Sequence, residues 1–150
     1  MPRDAAGLEV TDPYQHSMQW SRRFIGLKVF LSLAVAGWEG FEETVRHMTA
    51  MGAHLKAALQ ADGWRIENDT PLPVVCFTDA THPEGATKAY LEAIVRELVT
   101  SGRAWISSTV LGGVQPVLRA CITNYRTQAS DVEALAAALR EARARLVSSY

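Results

Sequence analysis

The spacing of apolar residues divides the chain into helical and strand-like segments. Apolar side chains recur every three or four positions in residues 39–61 and 87–100, which is the period of an amphipathic helix. Residues 22–36 are apolar almost all round, which predicts a helix that is buried on more than one side. Four segments rich in β-branched, aromatic and aliphatic residues predict strands: 64–67, 74–78, 104–110 and 117–123.

Turn-forming residues stand between these segments: Gly37, Asp62-Gly63, Ser101-Gly102 and Gly112-Gly113. We expect the first two strands to pair as a hairpin, and Ser130 to open a last helix through a capping box with Glu133. The order ααββαββα indicates an α+β fold, with helices packed on one antiparallel or mixed sheet. Residues 1–20 have no sustained period and predict an extended lead-in to a single domain over residues 21–150.

Composition narrows the range of partners. Fifteen basic against sixteen acidic residues give a net charge of −1, which offers no electrostatic reason to bind nucleic acid or an anionic membrane. The longest apolar run, residues 24–38, is shorter than the roughly 20 residues that span a bilayer. Because the first ten residues do not have the pattern of a secretory signal, we expect a cytoplasmic protein. Cys76 and Cys121 lie in apolar runs and predict buried thiols, with no disulfide or zinc framework.

Three arginines lie beside apolar residues and therefore need a partner. An unpaired guanidinium is too costly to bury, so at least one of Arg22 and Arg23 must meet an anion. Alternation along the last strand places Arg119 on the face opposite to Leu118. Each arginine has two readings, a structural ion pair or a contact with a bound carboxylate, which the planar guanidinium fork binds in two places. The sequence leaves both readings open.

Two motifs carry a family resemblance: Gln19-Trp20-Ser21-Arg22-Arg23-Phe24-Ile25-Gly26-Leu27-Lys28 and Val117-Leu118-Arg119-Ala120-Cys121-Ile122-Thr123-Asn124, the second followed by Arg126-Thr127. Together they resemble the C-terminal part of the pyridoxal-phosphate-dependent group II amino acid decarboxylases, which include the aromatic amino acid and glutamate decarboxylases. Residues 37–41 look like the helix break of that family, and residues 74–77 look like its central strand. The resemblance runs from about residue 12 to residue 146 and implies the small domain of a fold type I enzyme.

The resemblance also implies positions for site residues. It places Ser21 and Arg22 in the active-site wall at the domain junction, and His16 near the cofactor cleft, although an ordinary surface loop would account for His16 as well. It places Arg119 where glutamate decarboxylase relatives hold a substrate carboxylate. No residue of this chain is expected to be catalytic by itself, and no metal ligands are expected.

Pyridoxal 5'-phosphate is the cofactor that the resemblance implies for the parent enzyme. Family members attach it through a lysine that follows a histidine, whereas Lys28, Lys56 and Lys88 follow leucine, leucine and threonine. We therefore expect a chain that is inactive alone and binds no cofactor covalently. The implied partners are a large cofactor-binding domain or subunit, an amino acid substrate and a second copy in a homo-oligomer. Two alternatives stay open: a non-catalytic binding or scaffold domain, and the small subunit of a split decarboxylase.

Overall fold

The computed structural model describes residues 24–82 and 86–147, which form three helices and four strands. The elements in chain order are α1 (Ile25–Ala61), β1 (Trp64–Ile66), β2 (Val74–Asp79), α2 (Lys88–Thr100), β3 (Ser107–Leu111), β4 (Gln115–Cys121) and α3 (Ala129–Val147). The described residues fall into two compact units, divided between Glu39 and Gly40. This arrangement confirms the α+β class and the predicted order of elements.

Helix α1 joins the two helices that the sequence predicts on either side of Gly37. That residue interrupts the helix, with φ 68° and ψ 177°. Backbone angles in this region are open essentially to glycine alone, because a Cβ atom collides with the neighbouring peptide groups. Gly37 thus ends one helical stretch, as expected, while the next begins almost immediately.

The four strands form one antiparallel sheet in the order β1-β2-β4-β3. The predicted hairpin of the first two strands is confirmed, and Gly112 and Gly113, both with positive φ, occupy the turn between β3 and β4. The register of β4 places Leu118 opposite Phe77 and Ala120 opposite Val75. Side chains directly opposite each other share a face, so these four lie on one side of the sheet.

The hydrophobic core lies on that side. Leu55 of α1, Leu91 of α2 and Leu139 of α3 belong to the same buried cluster as Phe77 and Leu118. All three helices therefore cover one face of the sheet. The other face carries Cys76, Ser107, Val117, Arg119 and Cys121, and we call it the Arg119 face.

The start of α3 differs from the prediction. The helix begins at Ala129, before Ser130, and the carboxylate of Asp131 accepts a hydrogen bond from the backbone N–H of Gln128 at 2.8 Å. Asp131, the third residue of the helix, thus accepts from the backbone of Gln128, the residue just before the helix. This contact is one of the two hydrogen bonds of a capping box. The capping box was predicted two residues too late, because Gln128 and Asp131 fill the roles assigned to Ser130 and Glu133.

The first turns of α1 expose an unusual amount of apolar surface. Side chains between Phe24 and Trp38 are exposed on all sides of the helix, and the most exposed are Val35 at 90% and Trp38 at 79%. Soluble proteins rarely leave a contiguous apolar patch of this kind open, and such patches commonly mark an interface. Among the described residues, the expectation that this helix is buried on several sides is therefore not met.

We expect the isolated chain to self-associate through this helix. Replacing Phe30 and Val35 together with glutamate should shift the chain toward monomer in sedimentation velocity and reduce apolar-dye binding, because both changes place charge on the patch. Leu72→Glu is the matched control, since Leu72 is 62% exposed in the loop before β2. A wild-type chain that sediments as a clean monomer at high concentration, without dye binding, would contradict the expectation.

Candidate functional site on the Arg119 face

Arg119 is an exposed arginine in the middle of β4, between the buried residues Leu118 and Ala120. The strand register sets Cys76 of β2 on one side of it and Ser107 of β3 on the other. Among the residues that the structure describes, no carboxylate lies within 4.0 Å of its guanidinium group. The predicted position of Arg119, on the face away from Leu118, is confirmed.

The neighbours of Arg119 are neutral. Burial raises the pKa of the Cys76 thiol, and the Arg119 guanidinium offsets part of that effect. The hydroxyl oxygen of Ser107 is shielded from solvent and has no hydrogen-bond partner in the described part of the chain. Cys76 is buried, as the sequence predicts, but Cys121 is exposed. The prediction for Cys121 was wrong because Cys121 is the last residue of β4, beyond the last residue paired with β3, whereas Cys76 lies on the same face within β2, between two neighbouring strands.

The other predicted site residues lie outside the described part of the chain. Ser21, Arg22 and His16 all fall before Phe24, so their proposed places in a cleft stay predictions.

Sequence reasoning missed a polar cluster at the end of β2. The side chain of Asp79 is only 1% exposed and lies 3.3 Å from the Arg143 guanidinium of α3. Its carboxylate accepts hydrogen bonds from the hydroxyls of Tyr90 at 2.6 Å and Thr81 at 2.7 Å. Arg143 also donates to the carbonyl of Asp62 and lies 4.9 Å above the ring of Trp64. The sequence does show an aspartate, Asp79, at the end of an apolar strand. A single sequence does not show which distant arginine pairs with it.

The electrostatics of this cluster favour an ionised Asp79. Burial alone raises the pKa of Asp79, but hydrogen bonds from Tyr90 and Thr81 and the charge of Arg143 outweigh burial, and the net pKa is lowered. The pKa of Tyr90 is raised by burial and by the Asp79 carboxylate, which accepts a hydrogen bond from the Tyr90 hydroxyl. A tyrosine that holds its proton this firmly is a poor general acid, and its phenolate form is scarce near neutral pH, so the cluster is suited to holding elements together.

Two further features are absent from the described residues. They contain no helix long and apolar enough to cross a bilayer, and no group of histidine, cysteine and acidic side chains arranged to hold a metal ion. His47 instead contacts the carbonyl of Thr127 at 2.7 Å, and His54 lies 3.6 Å from Glu133. Both histidines connect α1 to the segment where α3 begins.

Comparison with known proteins places this fold among decarboxylases. Tyrosine decarboxylase from Oryza sativa subsp. japonica is 34% identical over 146 residues, which cover 87% of this chain and 27% of the rice protein. An aromatic-L-amino-acid decarboxylase from Bacillus atrophaeus is 29% identical over 119 residues, which cover 77% of this chain and 25% of that protein. No family model matches the chain.

The fold agrees with these sequence matches. The crystal structure of Oryza sativa TDC with PLP matches 96% of this chain and 32% of that chain, with a TM-score of 0.72 and 24% sequence identity. The neighbours of this chain are group II PLP-dependent amino acid decarboxylases. The chain spans about a quarter of the length of the two curated relatives described above and corresponds to a C-terminal part of such enzymes. The resemblance carried by the two motifs is confirmed.

The lysines of this chain do not fit covalent attachment of pyridoxal phosphate. Lys56 donates to the carbonyl of Thr70 at 3.1 Å, and Lys88 lies 3.8 Å from Glu92 on the surface of α2. Lys28 is exposed on the first part of α1. Each ammonium group is therefore hydrogen-bonded, beside a carboxylate or exposed, whereas a lysine that forms a Schiff base is activated in an apolar pocket or next to another cation.

We expect acid to remove the stabilising effect of Asp79. Because the folded pKa of Asp79 is lowered, its contribution is present above the unfolded value of about 3.9 and is lost as pH falls through the folded pKa. At pH 7, Asp79→Asn should cost about 3–5 kcal/mol, because it leaves Arg143 without its buried partner. Tyr90→Phe should cost about 1.5–3 kcal/mol, since it removes one hydrogen bond to a charged group.

Urea unfolding at a series of pH values measures this effect. The difference in unfolding free energy between wild type and Asp79→Asn should shrink as pH falls below 4, whereas other carboxylates affect both proteins alike. A difference that stays constant from neutral to acid pH would show that Asp79 is not the ionised partner of Arg143.

Proposed function

We propose that this chain is the C-terminal small domain of a pyridoxal-phosphate-dependent amino acid decarboxylase and contributes to the wall of its active site. The observation that carries the proposal is Arg119, an exposed cation without an ion-pair partner among the described residues, on a chain whose neighbours are decarboxylases. A solvated arginine in the middle of an apolar strand serves no purpose in the core. It suits a contact with a carboxylate at a junction with another domain.

The chemistry of decarboxylation restricts what Arg119 can hold. An enzyme gains nothing by stabilising the departing carboxylate more in the ground state than in the transition state. Arg119 therefore anchors a distal acid group of the substrate or an acidic side chain of the neighbouring domain. In the same wall we place Ser21 and Arg22, with His16 close to the cofactor cleft; these three positions rest on the family resemblance alone.

The remaining parts of the enzyme come from a larger domain or subunit. When bound there, pyridoxal phosphate supplies an electron sink for the carbon that loses carbon dioxide. This chain contributes no lysine for its attachment, so it is inactive alone. The apolar surface between Phe24 and Trp38 supports a covering partner, which we take to be the large domain together with a second copy in a homo-oligomer. We also propose a cytoplasmic location, which suits two cysteines that form no disulfide.

A domain exchange tests this function. The region of the rice tyrosine decarboxylase that this chain matches is replaced by the chain itself, and pyridoxal phosphate content and amine release from tyrosine are measured. The exchanged enzyme should bind the cofactor and release amine at a rate well above that of the rice enzyme lacking the region. A folded, cofactor-loaded exchange product that releases no more amine than the truncated enzyme would overturn the proposal.

Adding the purified chain to the truncated rice enzyme gives a second arm. Restored amine release shows that the domain works as a separate subunit, as in a split decarboxylase. Purified chain incubated with pyridoxal phosphate and tyrosine, without the truncated rice enzyme, is the control and should show neither a lysine-dependent aldimine absorbance band nor amine release.

A further inference from the structure

We propose that the hydroxyl of Ser107 is the second contact of a carboxylate site whose first contact is Arg119. The inference deepens the proposed function and rests on it for the source of the carboxylate, while the site itself rests on strand register, burial and charge. Nothing in the sequence motifs points to Ser107, which lies on the neighbouring strand.

The register brings the two residues together. Ser107 of β3 is directly opposite Arg119 of β4, so both side chains point to the same face. Opposite residues in an antiparallel pair have Cβ atoms about 4.5–5.5 Å apart. A small hydroxyl and a long guanidinium group at this spacing can both reach one ligand placed above them.

The hydroxyl of Ser107 lacks a partner among residues 24–82 and 86–147. Its oxygen is shielded from solvent and makes no hydrogen bond to them. Buried polar groups are nearly always paired, and each unpaired one in a folded protein calls for an explanation such as a missing ligand. Because rotation about the Cα–Cβ bond moves a serine hydroxyl between staggered positions, Ser107 can turn toward a ligand held by Arg119 without a change in the backbone.

The surroundings leave Arg119 free to bind an external anion. Residues 104–118 contain no charged side chain, so neither β3 nor the turn supplies a competing carboxylate. Cys76, on the other side of Arg119, is buried and keeps its proton, because burial raises the pKa of its thiol. The row across the sheet therefore consists of a neutral thiol, a cation and an unpaired hydroxyl.

A carboxylate matches this arrangement. Its two oxygens accept from two donors, the guanidinium group and the hydroxyl, and the charge-assisted contact supplies most of the affinity. The carboxylate comes either from an amino acid substrate or from an acidic side chain of a neighbouring domain. The chemistry of recognition is the same for both sources.

Titration of the full 150-residue chain with acetate tests the site. The side-chain N–H signal of Arg119 is followed by NMR in protein labelled with ¹⁵N-arginine, at constant ionic strength, with acetamide as the uncharged control. The signal should shift in a saturable manner with acetate and not with acetamide. Ser107→Ala should weaken acetate binding by about 3- to 10-fold, the effect of one lost hydrogen bond.

Ser108→Ala is the matched control, because Ser108 is opposite Leu118 and points to the other face of the sheet. It should leave acetate affinity unchanged. Ser107→Ala should not lower the melting temperature, since the hydroxyl has no partner among the described residues, whereas a structural role for Ser107 would lower it. Equal acetate affinity in the two serine variants, or no saturable shift in wild type, overturns the inference.

The two carboxylate sources are separated in the domain exchange described above. If the substrate supplies the carboxylate, Ser107→Ala raises KM for the amino acid. If a protein side chain supplies it, KM stays the same and the purified variant binds the truncated rice enzyme more weakly. An exchange product without activity overturns the proposed function, while the acetate titration decides separately whether Arg119 and Ser107 form a site.

Discussion

All three helices pack on the same face of the sheet, and the rest of this structure depends on that constraint. All three helices place their apolar side chains against Phe77 and Leu118, so alternation along β4 must turn Arg119 to the opposite face. A shift of one residue in the register of β4 would exchange these faces and bury the guanidinium among leucines. The same pattern that builds the core therefore determines where the one exposed charge of this strand appears.

The cluster around Asp79 holds the helical layer in place. One buried carboxylate receives Tyr90 from α2 and Arg143 from α3, and Arg143 reaches on to the end of α1 through the carbonyl of Asp62. Breaking such a pair leaves an uncompensated charge, which is costly in a region of low dielectric. The polar groups of this cluster, on the helix side of the sheet, thus serve stability.

The sequence predicted the elements well because local patterns determine them. The period of apolar residues defined α2, and turn residues such as Gly63 and Gly112 marked the ends of helices and strands. The prediction failed where the answer depends on distant residues. The exposure of Cys121 follows from its place at the end of β4, beyond the last residue paired with β3. The pairing of Asp79 with Arg143 joins residues 64 positions apart. The orientation of Arg119 could be predicted from alternation alone, whereas the unpaired hydroxyl of Ser107 required the register of β3.

The free energy of unfolding of Arg119→Met tests the central claim, that this arginine faces a partner and not the fold. Because its guanidinium is exposed and has no ion-pair partner among the described residues, the substitution should change stability by no more than about 0.5 kcal/mol. Arg143→Met, measured beside it in urea, should destabilise the chain markedly by leaving Asp79 buried without its cation. A loss of about 3–5 kcal/mol for Arg119→Met would contradict the account, since a loss of that size is typical of a broken buried ion pair.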